Sequence, residues 1–132
     1  PTYTRQATLF PYTTLFRSTR VTLSTHALTD AVRRVSLLSN KVSPVQIKVD
    51  AESGVMTLVT NYQDIGNAQE NLICEIEGES VDIAFNYSFL LDGLNSITTD
   101  AVHLDLFGSM KPGILRATEG ENFLYLIMPV RV

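Results

Sequence analysis

The two halves of the chain repeat one pattern of residues. Val21-Thr-Leu-Ser in the first half matches Val81-Asp-Ile-Ala in the second half at an offset of 60 residues, and residues 28–35 match residues 90–97 at an offset of 62. Each half reads as a strand, a helix and three strands, and one such unit cannot bury the apolar face of its own sheet. The duplication therefore predicts an α+β domain of two β-α-β-β-β units, with two helices side by side on antiparallel sheet and pseudo-twofold symmetry.

The spacing of apolar residues places the elements within each half. Alternating apolar and polar residues, bounded by turn residues, predict strands at residues 21–25, 44–49, 55–62, 68–76, 81–85, 102–107, 114–117 and 123–128. Apolar residues three and four positions apart predict helices at residues 26–39 and 87–97. Ser24 or Thr25 is expected to cap the first helix and Asn86 the second, because their side-chain oxygens accept from the free N–H groups of a first turn.

Residues 1–18 do not fit this pattern, since they follow neither a strand period nor a helix period. The string LFPYTTLFRS within them is similar to a translated sequencing adapter, so one interpretation is that the segment is not native. The other interpretation is an ordinary linker or terminal arm. We therefore assign the folded domain to residues 19–132, and we expect the chain to be a fragment because it begins at Pro1 without a Met and ends abruptly at Val132.

Composition limits the class of protein. Apolar residues make up 45% of the 132 residues and charged residues 18%, which suits one folded domain. No apolar run approaches the roughly 20 residues of a membrane span, so we expect a cytoplasmic protein without membrane contact. The single cysteine, Cys74, excludes an internal disulfide and a cysteine-based zinc site. The net charge of -4 argues against a small domain that grips DNA phosphates by itself.

A search for catalytic and cofactor-binding groups finds none. His26 and His103 are not at metal-ligand spacing from another His, Cys or acidic residue, and nothing pairs Cys74 with a histidine. Residues 108–113 resemble the start of a phosphate-binding loop, but Ile114 stands where the loop requires lysine. We therefore expect no enzyme activity, no cofactor and no metal.

Four residues on the predicted helices lie away from the apolar stripes. At about 100° per residue, Leu37 falls about 180° from Leu28, which indicates either accidental exposure or a protein contact. Arg33 and Arg34 lie between these two faces, as an ordinary solvated surface or as a weak phosphate-binding patch. Phe89 lies beside the stripe of the second helix, either at the edge of the core or facing a groove.

Three stretches taken together are similar to a known family. Residues 34–40 (RVSLLSN), residues 83–95 (IAFNYSFLLDGLN) and residues 125–132 (YLIMPVRV) resemble the third, C-terminal domain of bacterial sliding clamps, the beta subunits of DNA polymerase III. The resemblance covers residues 20–132. It implies a non-catalytic, head-to-tail homodimer ring of three-domain subunits, whose helices face encircled duplex DNA. It also implies the partners that such a ring tethers to DNA: the polymerase III catalytic subunit, the clamp loader and other proteins that carry clamp-binding motifs.

The resemblance also assigns residues to two surfaces. Arg33 and Arg34 would face the DNA. The contact between subunits would use the apolar pair that ends the first helix and acidic residues of a neighbouring strand: Leu37, Leu38, Asp64 and Glu70.

Partners of this family dock a short Gln-Leu-x-Leu-Phe motif into an apolar pocket between the second and third domains. Carried over by position, this chain's part of the pocket would consist of Asn86, Phe89, Met110, Pro112, Leu126, Ile127, Met128, Pro129, Val130 and Arg131. Core packing is the alternative for Leu126 and Ile127, since alternate residues of one strand cannot all face a pocket. Residues 1–18 do not match the family's linker to this domain, so a free-standing peptide-binding adaptor that encircles no DNA is the alternative function.

Overall fold

The computed structural model describes residues 18–37, 44–62, 66–119 and 123–131. In the first half of the chain it contains β1 (Thr19–Ser24), α1 (Thr25–Ser36), β2 (Pro44–Asp50), β3 (Val55–Tyr62), β4 (Gly66–Ile73) and β5 (Glu75–Glu77). In the second half it contains β6 (Val81–Asn86), α2 (Tyr87–Asn95), β7 (Ala101–Leu106), β8 (Gly113–Ala117) and β9 (Leu124–Ile127).

Each of the two sheets combines strands from both halves of the chain. The first sheet has the strand order β5-β1-β7-β8-β9 and the second sheet β4-β3-β2-β6, with antiparallel pairing throughout. The first strand of each half joins the sheet of the other half, since β1 pairs with β7 and β6 pairs with β2. The four strands β1-β7-β8-β9 therefore correspond to β6-β2-β3-β4, which confirms the predicted duplicated α+β fold.

Both helices begin at the predicted caps. The Ser24 hydroxyl accepts a hydrogen bond from the backbone N–H of Ala27 at 3.1 Å, and the Asn86 side-chain oxygen accepts one from the N–H of Ser88 at 2.8 Å. These bonds satisfy N–H groups that have no partner within the helix. The local sequence therefore fixes where each helix starts.

The helix ends differ from the prediction. α2 ends at Asn95, two residues before the predicted end, because the N–H groups of Ser96 and Ile97 bond to carbonyls three residues back and tighten the last turn. α1 ends at Ser36, and of the residues predicted to continue it, 38 and 39 lie outside the described part of the chain. Neither helix is long and apolar enough to cross a membrane, as judged over the described residues.

Residues 68–76, predicted as one strand, form parts of two strands in different sheets. β4 pairs with β3 in the second sheet, whereas β5 pairs with β1 in the first. The break falls at Cys74, whose backbone N–H donates to the Gly54 carbonyl at 2.9 Å. The apolar alternation continues through the break, so the sequence pattern alone does not reveal it.

The apolar core lies between the two helices and the two sheets. Its fully buried side chains come from every layer, for example Leu28 of α1, Leu90 of α2, Ile47 of the second sheet and Leu104 of the first. Each such side chain contributes about 1.5–3 kcal/mol by leaving water. The buried helix residues of this core recur three and four positions apart, which is the spacing that predicted the two helices.

Candidate functional site

The C-terminal segment connects the two sheets. After β9 of the first sheet, Pro129 forms an isolated bridge with Phe85 of β6, and the Val130 N–H donates to the Ala84 carbonyl at 2.9 Å. Because β6 leads directly into α2, this places residues 128–131 near Asn86 and the first turn of α2. Two separate groups of predicted pocket residues therefore become neighbours in the fold.

Large apolar side chains are exposed around this junction. Phe89, Met110, Leu126 and Met128 are each more than half exposed. A pocket that binds apolar anchors needs such walls, since they are uncovered until the partner arrives. Phe89 thus faces outward from the helix rather than into the core, and its place in a groove stays a prediction.

Ile127 lies in the core rather than at a pocket surface. Its side chain is 1% exposed, because inward and outward residues alternate along β9 and place Leu126 on the opposite face. Asn86 is half-buried, and its side-chain oxygen is occupied by the cap of α2. The assignment of Ile127 to the pocket is corrected to core packing, and Leu126 remains on the surface.

An open cleft of about 460 Å³, which we call the C-terminal cleft, lies beside residues 130 and 131. Three predicted pocket residues line it: Met110, Val130 and Arg131. The remaining lining residues were not assigned to any site by the sequence: Gln46, Lys48, Asp82, Ile83, Ala84 and Ser109. Phe89 and Met128 are not part of its lining. The only signal for the added residues was strand alternation, which points Gln46 and Lys48 outward while Ile47 is buried.

Of the residues predicted for the subunit contact, the structure describes Leu37 and Glu70. Leu37, directly after α1, is 77% exposed, whereas Leu38 and Asp64 lie outside the described residues. Glu70 belongs to β4, the terminal strand of the second sheet. On the same strand Ile73 is 89% exposed. No sequence signal indicated Ile73, because an isoleucine within an alternating strand gives no sign of which face is covered.

Arg34 and Glu70, which the resemblance assigns to different surfaces, bind each other. Arg34 Nε and Nη2 donate to the two carboxylate oxygens of Glu70 at 3.1 and 2.8 Å, a bidentate arrangement. The hydrogen bond raises the pKa of Arg34 and lowers the pKa of Glu70. The pair therefore connects the exposed face of α1 to the edge strand β4.

Arg33 makes a different contact. Its Nη2 lies 3.5 Å from Asn95 Oδ1, so a weak hydrogen bond connects the exposed faces of α1 and α2. Within the described residues Arg33 has no ion pair. Of the two arginines predicted to face DNA, Arg33 is the one whose charge has no acidic partner there.

A buried carboxylate that no sequence pattern indicated lies on the outward face of the first sheet. Asp105 of β7 accepts hydrogen bonds from Arg20 Nε and Nη2 at 2.7 and 2.9 Å and from Arg116 Nε at 2.8 Å. Burial by itself raises the pKa of Asp105, but the hydrogen bonds and charges of the two guanidinium groups outweigh burial and hold that pKa below its usual value. The cluster joins β1, β7 and β8.

His103 lies on the same face of β7. Its Nδ1 is 2.7 Å from the Thr22 hydroxyl of the paired strand, and burial together with the Arg20 charge lowers the pKa of His103. Cys74 is half-buried, and burial raises the pKa of its thiol. In the part of the chain that the structure describes, no three His, Cys, Asp or Glu side chains are grouped as metal ligands.

Comparison with known protein families gives a match over most of the chain. A sequence model of the family described as DNA polymerase III beta subunit, C-terminal domain, matches residues 8–131. The match begins inside residues 1–18, whose origin stays a prediction.

Curated relatives are longer than this chain. The chain is 38% identical over 131 residues to the beta sliding clamp of Streptomyces coelicolor and 33% identical over 102 residues to that of Staphylococcus aureus strain Mu50. These alignments cover 95% and 76% of this chain but 34% and 27% of the relatives. The chain thus spans about a third of the length of the curated relatives it matches.

Solved structures have the same arrangement of elements. The crystal structure of the DNA polymerase III beta subunit of Thermotoga maritima matches with a TM-score of 0.81 at 27% identity, covering 100% of this chain and 34% of that one. A sliding clamp of Bartonella birtlesii bound to griselimycin matches with a TM-score of 0.81 at 29% identity, again over 100% of this chain and 34% of that one.

Proposed function

The chain belongs to the DNA polymerase III beta-subunit family, whose C-terminal domain it matches, and we propose that it acts as the C-terminal third of a ring-shaped sliding clamp. The ring is a head-to-tail homodimer that encircles duplex DNA. It tethers the polymerase III catalytic subunit, the clamp loader and other motif-bearing proteins to the DNA. It performs no chemistry of its own and works in the bacterial cytoplasm.

The observation that carries the proposal is an open strand edge on each sheet, at equivalent positions of the two halves. β4 terminates the second sheet and β9 terminates the first. Exposed apolar side chains accompany both edges: Ile73 on β4, and Leu124 and Leu126 on β9. Proteins normally cover such edges. Contacts at both would join domains head to tail, and a head-to-tail interface that closes on itself forms a ring.

Enclosure explains how an acidic domain works on DNA. A ring that surrounds the duplex needs no tight grip on phosphates, so the net charge of -4 is compatible with the role. Arg33, exposed on α1 and bonded to α2, supports a weak and sequence-independent phosphate contact. The side-by-side packing of the two helices supports a shared inner surface.

Partner docking is proposed at the C-terminal segment. The exposed side chains of Phe89 and Met128 provide apolar walls, and Met110 is a flexible side chain that adapts to several partners. Asn86 and Arg131 provide polar groups that orient a peptide. A motif of the Gln-Leu-x-Leu-Phe type suits such a site, because a few buried anchor residues, here the leucines and the phenylalanine of the motif, provide most of the binding affinity of a peptide.

A hybrid clamp tests DNA encirclement. In the hybrid clamp, residues 19–132 of this chain replace the C-terminal domain of the beta sliding clamp of Streptomyces coelicolor. A clamp loader places it on nicked circular duplex DNA, and gel filtration measures how much stays bound before and after the DNA is linearised. We expect retention on the circle and loss from the linear form, because topology rather than affinity holds the ring. Equal retention on both forms, or on neither, contradicts the proposal.

A single substitution tests the subunit contact. Leu37→Asp in the hybrid clamp places a charge at the proposed apolar contact, so sedimentation velocity should show more monomer than for the unmodified hybrid. Ser53→Asp, in the exposed turn between β2 and β3, is the matched control and should leave the ring intact. A hybrid that forms no ring but still binds a Gln-Leu-Ser-Leu-Phe peptide would instead favour the adaptor function.

A further inference from the structure

The C-terminal cleft is built from four chain segments. Gln46 and Lys48 of β2 face Ala84 and Asp82 of β6 as direct cross-strand partners. The turn between β7 and β8 supplies Ser109 and Met110, and the C-terminal segment supplies Val130 and Arg131. With a volume of about 460 Å³ and an open mouth, the cleft is large enough for a few residues of an extended chain.

The cleft is continuous with the proposed docking site for partner peptides. Met110, Val130 and Arg131 belong to both. The hydrogen bond from the Val130 N–H to the Ala84 carbonyl holds the C-terminal segment at the rim of the cleft. A peptide that lies along residues 128–131 therefore reaches the cleft as soon as it extends past its apolar motif.

The charges around the cleft favour an acidic occupant. Lys48 and Arg131 are exposed, and neither forms an ion pair with another of the described residues. Asp82 is the one acidic residue of the lining, so two cations and one anion surround the cleft. This local excess of positive charge contrasts with the net charge of -4 of the whole chain. A carboxylate that enters the cleft would gain partners which the folded chain leaves without ion pairs.

We propose that the C-terminal cleft binds acidic residues that flank the apolar motif of a partner protein, with Lys48 and Arg131 as the groups that recognise their carboxylates. The inference rests on the proposed docking function, since it concerns the residues next to the same motif. It adds Gln46, Lys48 and Ser109 to the surface that selects among partners. Partners with acidic flanks then bind in preference to partners with neutral or basic flanks.

Four fluorescein-labelled peptides test the proposal on the hybrid clamp by fluorescence anisotropy. The first peptide contains the motif Gln-Leu-Ser-Leu-Phe alone. The second adds three glutamates before the motif, and the third adds three glutamates after it. The fourth carries three lysines at the end where glutamates tighten binding more. We expect glutamates at one of the two ends to tighten binding about threefold to fivefold at low salt, as for exposed ion pairs. The gain should shrink as salt is added.

Charge reversal identifies the cleft as the source of the gain. Lys48→Glu should remove the advantage of the glutamate peptide and improve the lysine peptide, while the affinity for the motif alone stays unchanged. Lys111→Glu makes the same charge change outside the cleft and should preserve the glutamate advantage. An equal effect of the two substitutions overturns the inference, as does equal binding of the motif with and without glutamates. Failure of the motif peptide itself to bind overturns the proposed docking function.

Discussion

Replacement of Asp105 by asparagine should destabilise the domain strongly, although Asp105 lies in none of the proposed binding surfaces. The substitution keeps the shape of the side chain but removes its charge and turns one acceptor oxygen into an NH2 donor, which then faces guanidinium donors. Three hydrogen bonds of 2.7–2.9 Å from Arg20 and Arg116 are weakened or lost. A buried ion pair broken on one side costs about 3–5 kcal/mol.

The expected loss is smaller than that upper range because the partners reach solvent. The side chains of Arg20 and Arg116 are 35% and 37% exposed, while that of Asp105 is 9% exposed. Once released, the two guanidinium groups are hydrated instead of remaining buried and unpaired. We therefore expect Asp105→Asn to lower the free energy of unfolding by about 2–3 kcal/mol, which lowers the Tm of a domain of this size by roughly 6–15 °C.

Urea unfolding of the 132-residue chain, followed by far-UV circular dichroism, measures this free energy. Arg20→Met and Arg116→Met are the companion variants, and double-mutant cycles with Asp105→Asn should give a coupling energy for each pair. Coupling near zero, or a loss below about 0.5 kcal/mol for Asp105→Asn, would refute the reasoning that the cluster stabilises the sheet.

The pH dependence gives an independent check. The folded-state pKa of Asp105 is lowered, so near and below its ordinary pKa of about 3.9 the unfolded chain binds the proton more readily than the folded chain. The stabilisation is therefore complete above that ordinary pKa and is lost as the pH falls through the lower folded pKa. The stability difference between the unmodified chain and Asp105→Asn should shrink in the same acidic window. A difference that stays constant there contradicts the ion-pair explanation.

Three other substitutions or reactions have defined outcomes. Phe89→Ala should weaken binding of the Gln-Leu-Ser-Leu-Phe peptide to the hybrid clamp by about 1–2 kcal/mol in anisotropy titrations, whereas Ser53→Ala, in the exposed turn between β2 and β3, should not. Gly113→Ala should destabilise the chain by about 1–3 kcal/mol in urea unfolding, because its new Cβ would lie 2.6 Å from Phe85 Cζ. Cys74 should react with a thiol reagent much faster in urea than in the folded chain, since burial raises its pKa; equal rates would contradict this.

The parts of the fold that depend on local signals were predictable from the sequence. Ser24 and Asn86 start their helices because the capping oxygen and the N–H it binds lie two or three residues apart in the chain. The repeat of the strand-helix pattern, in turn, requires two units to share one core. The exposure of Leu37, the residue that caps the end of α1, agrees with the helical spacing in the same way.

Features that depend on pairing between distant strands were not predictable. Arg20 and Asp105 meet because β1 pairs with β7 at that register, and Arg116 arrives from β8, which no local pattern specifies. The break at Cys74 has the same origin, since β4 and β5 are drawn to different sheets. The C-terminal cleft likewise depends on a bridge between residues far apart in the chain. A sequence repeat indicates which strands share a sheet, but it does not indicate which outward side chains become neighbours across those strands.

The pairing of Arg34 with Glu70 changes how the two outer surfaces of the domain are understood. A family resemblance treats Arg34 as a group for DNA and Glu70 as a group for the neighbouring subunit, but a bidentate contact pairs Nε and Nη2 of the arginine with both carboxylate oxygens within one domain. What the pair then provides is a fixed position of β4 relative to α1, next to the exposed Leu37 and Ile73. In the proposed ring, the subunit contact would therefore rely on apolar surface more than on charge, and Arg33 would be the arginine of α1 available to the duplex. For this domain, a single cation without an acidic partner on α1 gives little affinity for phosphates, so in the proposed ring retention on DNA would come from closure.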